Sequence, residues 1–350
     1  MRSRATIARA GLAAAVAAAI AAAASCWHPS LDPSASASEL TVARLGEPVM
    51  TATLEFSSWY DADRLRFVPE SAAAPTRGLL TASSGTQFAI VGVTADAESG
   101  VAYAGGFYQR YAPFGDATLV VAAPDGSPEA LVIAGPSEAA LVDMASAEDI
   151  SSPALPAAGR LGVGAVAAAG SATLACLALP EDGSAEPPSW SAASWGSGSV
   201  DLAATTALEF DDEALVDEPG IFVAVGGYLY LSCSMIDGAG RIYRWPETGG
   251  APTAFAETYG PLVGALSDGR LLAESGDVVT VLDADAEALF SFPAGTLRFA
   301  GERYDAASGE MVAVLTRCAY LRRYGFDGDT RKIRIEVYEL PSAELATLAR

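Results

Sequence analysis

Leu262-Val263-Gly264-Ala265-Leu266, Ser267-Asp268-Gly269 and Arg270-Leu271-Leu272-Ala273 stand in direct succession. Two short apolar runs on either side of Ser-Asp-Gly read as two strands joined by a tight turn. Gly tolerates a positive φ there, and Asp bonds to nearby backbone. Val278-Val279-Thr280-Val281-Leu282-Asp283 and Ala288-Leu289-Phe290-Ser291-Phe292 follow at strand length. Four such runs in a row make one antiparallel sheet, which has two faces and cannot bury both alone.

The same arrangement lies on either side. Ile221 to Val225, Tyr228 to Cys233, the turn Asp237-Gly238-Ala239-Gly240 and Arg241-Ile242-Tyr243-Arg244-Trp245 come before it. Leu297 to Ala300, Met311 to Leu315, Ala319 to Tyr324 and Ile333 to Leu340 come after. The segments that follow the first turn of each group start near Tyr228, Arg270 and Met311, spacings of 42 and 41 residues. A period of roughly 40–45 residues with four strands per unit is the repeat of a β-propeller blade. Residues 45–342 resemble β-propeller proteins on that basis, although the Trp-Asp repeat is missing. The expectation is an all-β fold of about seven four-stranded blades, with six and eight the neighbouring counts. A tandem β-sandwich is the alternative architecture.

The N-terminal half is less regular. Phe88 to Val93, Val101 to Tyr108, Leu119 to Ala123 and Ala130 to Ile133 are of strand length, with turns at 96–100 and at Pro124-Asp125-Gly126. Ala-rich residues 135–170 leave room for a short helix or a degenerate blade. Pro180 to Ser199 reads as a Pro, Ser and Gly loop, an insertion or a junction between two halves of the ring. Gly162-Val163-Gly164-Ala165-Val166-Ala167 matches a loose dinucleotide pattern, but Pro153-Ala154-Leu155-Pro156 before it is no strand. The stretch reads as an inner strand of small residues, and no cofactor is expected.

Charge narrows the function classes. The chain carries 21 basic and 43 acidic residues, a formal net charge of −22. Nucleic-acid binding needs clustered Lys and Arg against phosphate, so this balance argues against that class, and no nucleic-acid partner is expected. The single histidine is His28, before the repeats begin. Ser-His-Asp triads, Cys-His dyads and His-ligated zinc all need an imidazole in the folded body. Cys176, Cys233 and Cys318 form no Cys-x-x-Cys pair. They read either as buried small hydrophobes or as one bridge and a spare thiol.

The N-terminus has a separate logic. Arg2, Arg4 and Arg9 precede an uncharged, Ala-rich run from Gly11 to Ala24, which ends in Ala23-Ala24-Ser25-Cys26. A basic start, a short apolar stretch and a small-residue exit form a secretory signal, too short and too weakly apolar for a permanent span. Small residues directly before Cys26 resemble the lipobox of bacterial lipoproteins, though Ala23 stands where Leu is usual. The resemblance implies removal of residues 1–25, acylation of Cys26 and anchoring at a membrane. Trp27 is not Asp, so by the same resemblance the outer membrane is the expected address. Residues 26–44 read as the lipidated cysteine and a flexible tether, and residues 343–350 as a tail.

Candidate binding residues are few. Trp190 and Trp195 are read as loop indoles that either stack on a sugar or a partner, or fold back onto the body. Arg322 and Arg323, with Arg317, Arg331, Lys332 and Arg334, form a local basic group in an acidic chain. It meets an acidic partner or a phosphorylated glycolipid, or else it is the wet face of an edge strand. Glu209, Asp211, Asp212, Glu213, Asp217 and Glu218 lack the spacing of a calcium loop, so no metal site is assigned. No catalytic residue is assigned either. The expected function is a non-enzymatic binding or scaffold domain in the envelope, with a protein or glycan partner. A carbohydrate-active ring with paired carboxylates is the alternative.

Overall fold

The computed structural model describes residues 36–350 except the connections 57–63, 72–73, 85–86, 97–98, 112–117, 123–127, 135–138, 153–159, 169–170, 180–188, 197–198, 208–215, 236–239, 247–249, 258–259 and 323–330. The first described element is helix α1 (Ala37–Leu45). Strand β1 (Met50–Phe56) follows it, and then five consecutive four-stranded antiparallel sheets. The first sheet holds β2 (Arg64–Ser71), β3 (Ala74–Ser84), β4 (Gln87–Asp96) and β5 (Val101–Tyr111). The second holds β6 (Thr118–Ala122), β7 (Glu129–Ala134), β8 (Ala139–Asp143) and β9 (Asp149–Ser151). The third holds β10 (Arg160–Ala168), β11 (Ser171–Leu179), β12 (Ser189–Gly196) and β13 (Ser199–Ala207). The fourth holds β14 (Val216–Val225), β15 (Tyr228–Met235), β16 (Gly240–Pro246) and β17 (Thr253–Glu257). The fifth holds β18 (Leu262–Ala265), β19 (Leu271–Ser275), β20 (Val278–Leu282) and β21 (Ala288–Pro293).

The sixth sheet draws on both ends of the chain. Strands β22 (Leu297–Asp305), β23 (Glu310–Arg322) and β24 (Arg331–Pro341) are three of its members, and β1 is the fourth. β1 pairs antiparallel with β24 from Met50 opposite Val337 to Phe56 opposite Arg331. The innermost strands β2, β6, β10, β14, β18 and β22 contact one another in that order, and β22 meets β2. The molecule is therefore a six-bladed β-propeller in which the N-terminal strand closes the ring. A short parallel contact of β1 with β5, Thr53 opposite Val101 and Leu54 opposite Ala102, joins the outer rims of the sixth and first blades.

The core lies in the seams between blades. Phe67, Leu80, Val91 and Val93 of the first blade pack against Leu54, Val314, Ile333 and Ile335 of the sixth. Leu79 and Ile90 meet Val132 and Val142 of the second. Tyr230 and Ile242 of the fourth meet Leu262 and Leu271 of the fifth. Alternation of side chains along each strand supplies one apolar face to each neighbour, which a single sheet in water cannot satisfy.

Three expectations are corrected. Residues 135–170 contain β8, β9 and β10, strands of the second and third blades, and no helix among their described residues, so of the two readings the short helix is corrected. Folded structure precedes residue 45, since α1 lies within the stretch read as a tether. Ser36 caps α1 in a capping box: the Glu39 N–H donates to Ser36 Oγ at 3.3 Å, and the Ser36 N–H donates to Glu39 Oε2 at 2.6 Å. Leu45 and Val42 of α1 join the seam between the fifth and sixth blades. Residues after 342 are likewise no free tail. They form a 3-10 helix (Ser342–Ala349) whose Leu345 and Leu348 are buried in the same seam, and Arg44 donates to the Leu348 carbonyl at 3.0 Å. The small-residue stretch 162–167 lies in β10, the innermost strand of its blade, as expected.

Candidate functional site at one mouth of the ring

Consecutive antiparallel strands put their connections alternately at two ends of the ring. All innermost strands begin at one end, here the leading end, and finish at the trailing end. The chain passes from blade to blade at the leading end, and second-to-third strand hairpins lie there too. Arg66 is two residues into β2, and Arg298 one residue into β22. Glu274 is one residue from the end of β19, a second strand that runs back towards the leading end. All three stand at the same mouth.

They come from the first, sixth and fifth blades. Arg298 Nε lies 3.4 Å from Glu274 Oε1, and its Nη1 donates to the Gly295 and Leu297 carbonyls at 2.7 and 2.8 Å. Arg66 lies within electrostatic reach of both Glu274 and Arg298. The first and fifth blades are not neighbours on a six-membered ring; the sixth, which carries Arg298, lies between them. Burial pushes the Arg66 guanidinium below its ordinary pKa; the Glu274 carboxylate opposes that shift, and Arg298 adds to it. Among the described residues, no side chain hydrogen-bonds the Arg66 guanidinium; the bond at Arg66 is Thr81 Oγ1 donating to its backbone carbonyl at 3.2 Å.

The chain's N-terminal side reaches the same end. A Cβ on Gly295 would lie 2.6 Å from Cβ and Oγ of Ser38, so the first turn of α1 sits directly against the connection between β21 and β22. Gly295, at φ +58°, also gives the carbonyl that Arg298 holds. The start of α1 and the arginine mouth are thus separated by one turn of backbone.

The residues singled out by sequence fall in different places. Cys26 and Arg323 lie outside the described residues. Trp190 and Trp195 are not loop residues: both are in β12, where Trp190 pairs with Leu177 and Thr206 and Trp195 with Val200. Arg322 ends β23 opposite Lys332. The basic group around it is a strand face, but β24 is no edge, since β23 and β1 flank it. Ile333, Ile335 and Val337 are buried, while Lys332 pairs with Glu55 of β1, and Arg317 and Arg334 reach Glu336 at 3.4 and 3.8 Å. Asp217 and Glu218 of the acidic run are in β14; Glu209, Asp211, Asp212 and Glu213 lie outside the described residues. Cys318 is a buried free thiol whose pKa burial pushes up to about 12.

Arg66, Arg298 and Glu274 carry no local sequence motif. They lie on three blades, the fifth, sixth and first, far apart in the chain. An open groove of about 430 Å³ lies at the outer rim, lined by Thr53, Glu55, Val101, Ala102, Tyr103 and Ala104. Among the described residues, no group of three or more His, Cys, Asp or Glu is placed to hold a metal. The Asp268 and Asp305 carboxyls are both held below the ordinary carboxylate range: desolvation at Asp268 is outweighed by hydrogen bonds from Arg270, and hydrogen bonds from Ser308 and Ala307 act on Asp305.

No protein-family model and no curated protein sequence matches the chain. Solved propellers resemble it loosely. The WD40 domain of SCAP from fission yeast is 11% identical with a TM-score of 0.37, over 80% of this chain and 78% of that one. Sqt1 from Saccharomyces cerevisiae is 8% identical with a TM-score of 0.40, over 77% and 70%. BamB from Moraxella catarrhalis is 10% identical with a TM-score of 0.33, over 77% and 81%. The six-bladed ring rests on this chain's own strand pairing.

Proposed function

We propose that the chain is an exported, lipid-anchored propeller that binds a partner at the cell envelope and performs no chemistry of its own. The observation that carries this reading is the way the chain joins the ring. A capped helix fixes the N-terminal side to the leading end, beside Gly295. Nine residues separate Cys26 from Ser36. An extended segment of that length spans at most about 30 Å. A ring held by an acylated Cys26 would therefore stay close to the lipid surface and hang from the leading end. The trailing end, with its hairpins, would be presented outward. Trp27 after the cysteine favours the outer membrane as the address.

A rigid disc with variable connections needs no catalytic group to be useful. Some of the described charges pair with one another, such as Arg303 with Glu339 at 2.5 Å and Arg77 with Glu70 at 2.9 Å. Mild crosslinking of the full chain in its own cell, then detergent solubilisation through a C-terminal tag, tests the reading. One stoichiometric protein partner supports it. Retained glycan fragments without a protein partner would favour the carbohydrate-active alternative.

A further inference from the structure

We propose that the trailing end of the fourth blade is a docking site for a protein partner, and that Arg244, held by the rings of Tyr228 and Phe255, takes a carboxylate of that partner. The inference rests on the reading of the ring as a binding domain and names the surface it uses. It does not depend on the lipid anchor.

Strand order brings the three residues together. Tyr228 is the first residue of β15, Arg244 stands two residues before the end of β16, and Phe255 is the third residue of β17. Second and fourth strands begin at the trailing end and third strands finish there, so all three positions fall at or near it. Tyr230 pairs directly with Arg244 and belongs to the seam with the fifth blade; Tyr228 and Arg244 therefore share its face of the sheet. The Tyr230 ring meets Phe255 edge-on at 5.7 Å and lies 6.5 Å from the Tyr228 ring. The Arg244 guanidinium carbon stands 3.9 Å from the centre of the Phe255 ring and 4.9 Å from that of Tyr228.

Two features set this guanidinium apart. At the same end of the ring, Arg77, Arg270 and Arg303 pair with Glu70, Asp268 and Glu339 at 2.9, 2.7 and 2.5 Å. Among the described residues, Arg244 pairs with no carboxylate, although Asp285 and Glu287 stand exposed at that end on the fifth blade. The hydrogen bond at Arg244 is Thr253 Oγ1 donating to its backbone carbonyl at 3.1 Å. A guanidinium fixed through its face keeps its N–H fork for two oxygens of one carboxylate. The second feature is access. Tyr228 is 40% exposed and follows Gly226-Gly227, where an added Cβ would meet nothing within 4 Å. An open tyrosine beside a fixed arginine is the make-up of a protein-interface hot spot, with large contact area and few rotors to freeze. What it offers is an oriented fork rather than a net positive charge; residues 247–249, which include Glu247, lie outside the described residues.

In the full chain, in its own cell, Tyr228 would be replaced by photoreactive benzoylphenylalanine. Val278 is also 40% exposed, at the leading end of the fifth blade, and serves as the reference position. Illumination should give a protein adduct at Tyr228 and not at Val278, mapped by mass spectrometry to a partner peptide that contains Asp or Glu. Arg244→Gln should weaken the adduct about tenfold, and Arg244→Lys, which keeps the charge but loses the fork, about threefold. Where Arg244→Gln fails to fold, Arg244→Lys decides alone. The proposal is overturned if Tyr228 gives no protein adduct, or a lipid or glycan adduct in its place. It is overturned equally if the adduct maps to a peptide without Asp or Glu, or if neither Arg244 variant weakens it. Should chemical crosslinking still recover a stoichiometric partner in those cases, the binding reading stands and this surface alone falls; should it recover none, both fall.

Discussion

Phe299 lies across Gly264. A Cβ on Gly264 would stand 2.5 Å from Phe299 Cδ1 and 2.6 Å from Cε1, so the inner strands of the fifth and sixth blades approach as closely as a missing side chain allows. The sheets of a propeller converge on the axis, where space is scarcest, and small residues there set how tightly the ring closes.

Gly264→Ala should therefore destabilise the ring by about 1–3 kcal/mol through overpacking. Phe299→Leu in the same chain should recover part of that loss. Urea unfolding of the two single variants and the double variant checks this through the coupling energy. Simple additivity would mean that the two residues do not share the space.

Ring closure depends on β1. Leu54 is fully buried between the sixth and first blades, so Leu54→Ala should cost about 2–5 kcal/mol. Glu55→Gln, one residue away, removes a pair with Lys332 in which both side chains are about half exposed, and should shift stability by less than about 0.5 kcal/mol. Unfolding midpoints of the two variants, measured side by side, separate closure by burial from closure by charge.

Ser36→Ala removes the N-cap of α1 and should cost about 1 kcal/mol. The change should appear as a lower urea midpoint with an unchanged slope. Were α1 only a tether, the substitution would leave the midpoint where it was.

High pH should weaken the fold through Tyr338. Desolvation, together with the hydrogen bond that its hydroxyl donates to the Glu336 carboxylate at 2.9 Å, raises its pKa to about 12. The folded value lies above the ordinary 10, so the neutral form favours the fold. The stabilisation is fully present below about pH 10 and is lost as pH rises towards 12. Ultraviolet titration should show one tyrosine ionising late in wild type and missing from Tyr338→Phe, which should also lose less stability over that window.

Much of the fold was legible because its repeat is a physical necessity. Tyr228, Arg270 and Met311, aligned by turn chemistry, fall at the starts of β15, β19 and β23, the second strands of three successive blades. The blade count was less legible. Second strands in the N-terminal half begin at Ala74, Glu129 and Ser171, and the steps from there to Tyr228 are 55, 42 and 57 residues. Blades lengthened by long hairpins such as β4–β5 make six fill the chain that a uniform period divides into about seven. The Ser-Ala-Ser-Glu signature at 36–39 was readable as a capping box but was masked by the Pro, Ser and Ala around it. Trp190 and Trp195 misled because Ser and Gly flank them, although cross-strand pairing in the third sheet outweighs that local preference. Arg66 and Arg298 were invisible as neighbours on adjacent blades because 231 residues of chain separate them.

The account's central claim is a ring held to a membrane by Cys26. Mass spectrometry of the N-terminal peptide, from the full chain produced in its own cell and recovered from the membrane fraction, tests it most directly. The account predicts a peptide that begins at Cys26 and carries the added mass of a diacylglyceryl group, with the Cys26→Ala variant released to the soluble fraction. An unmodified peptide that begins at Ser25 or Cys26, with wild type and variant equally soluble, would contradict it.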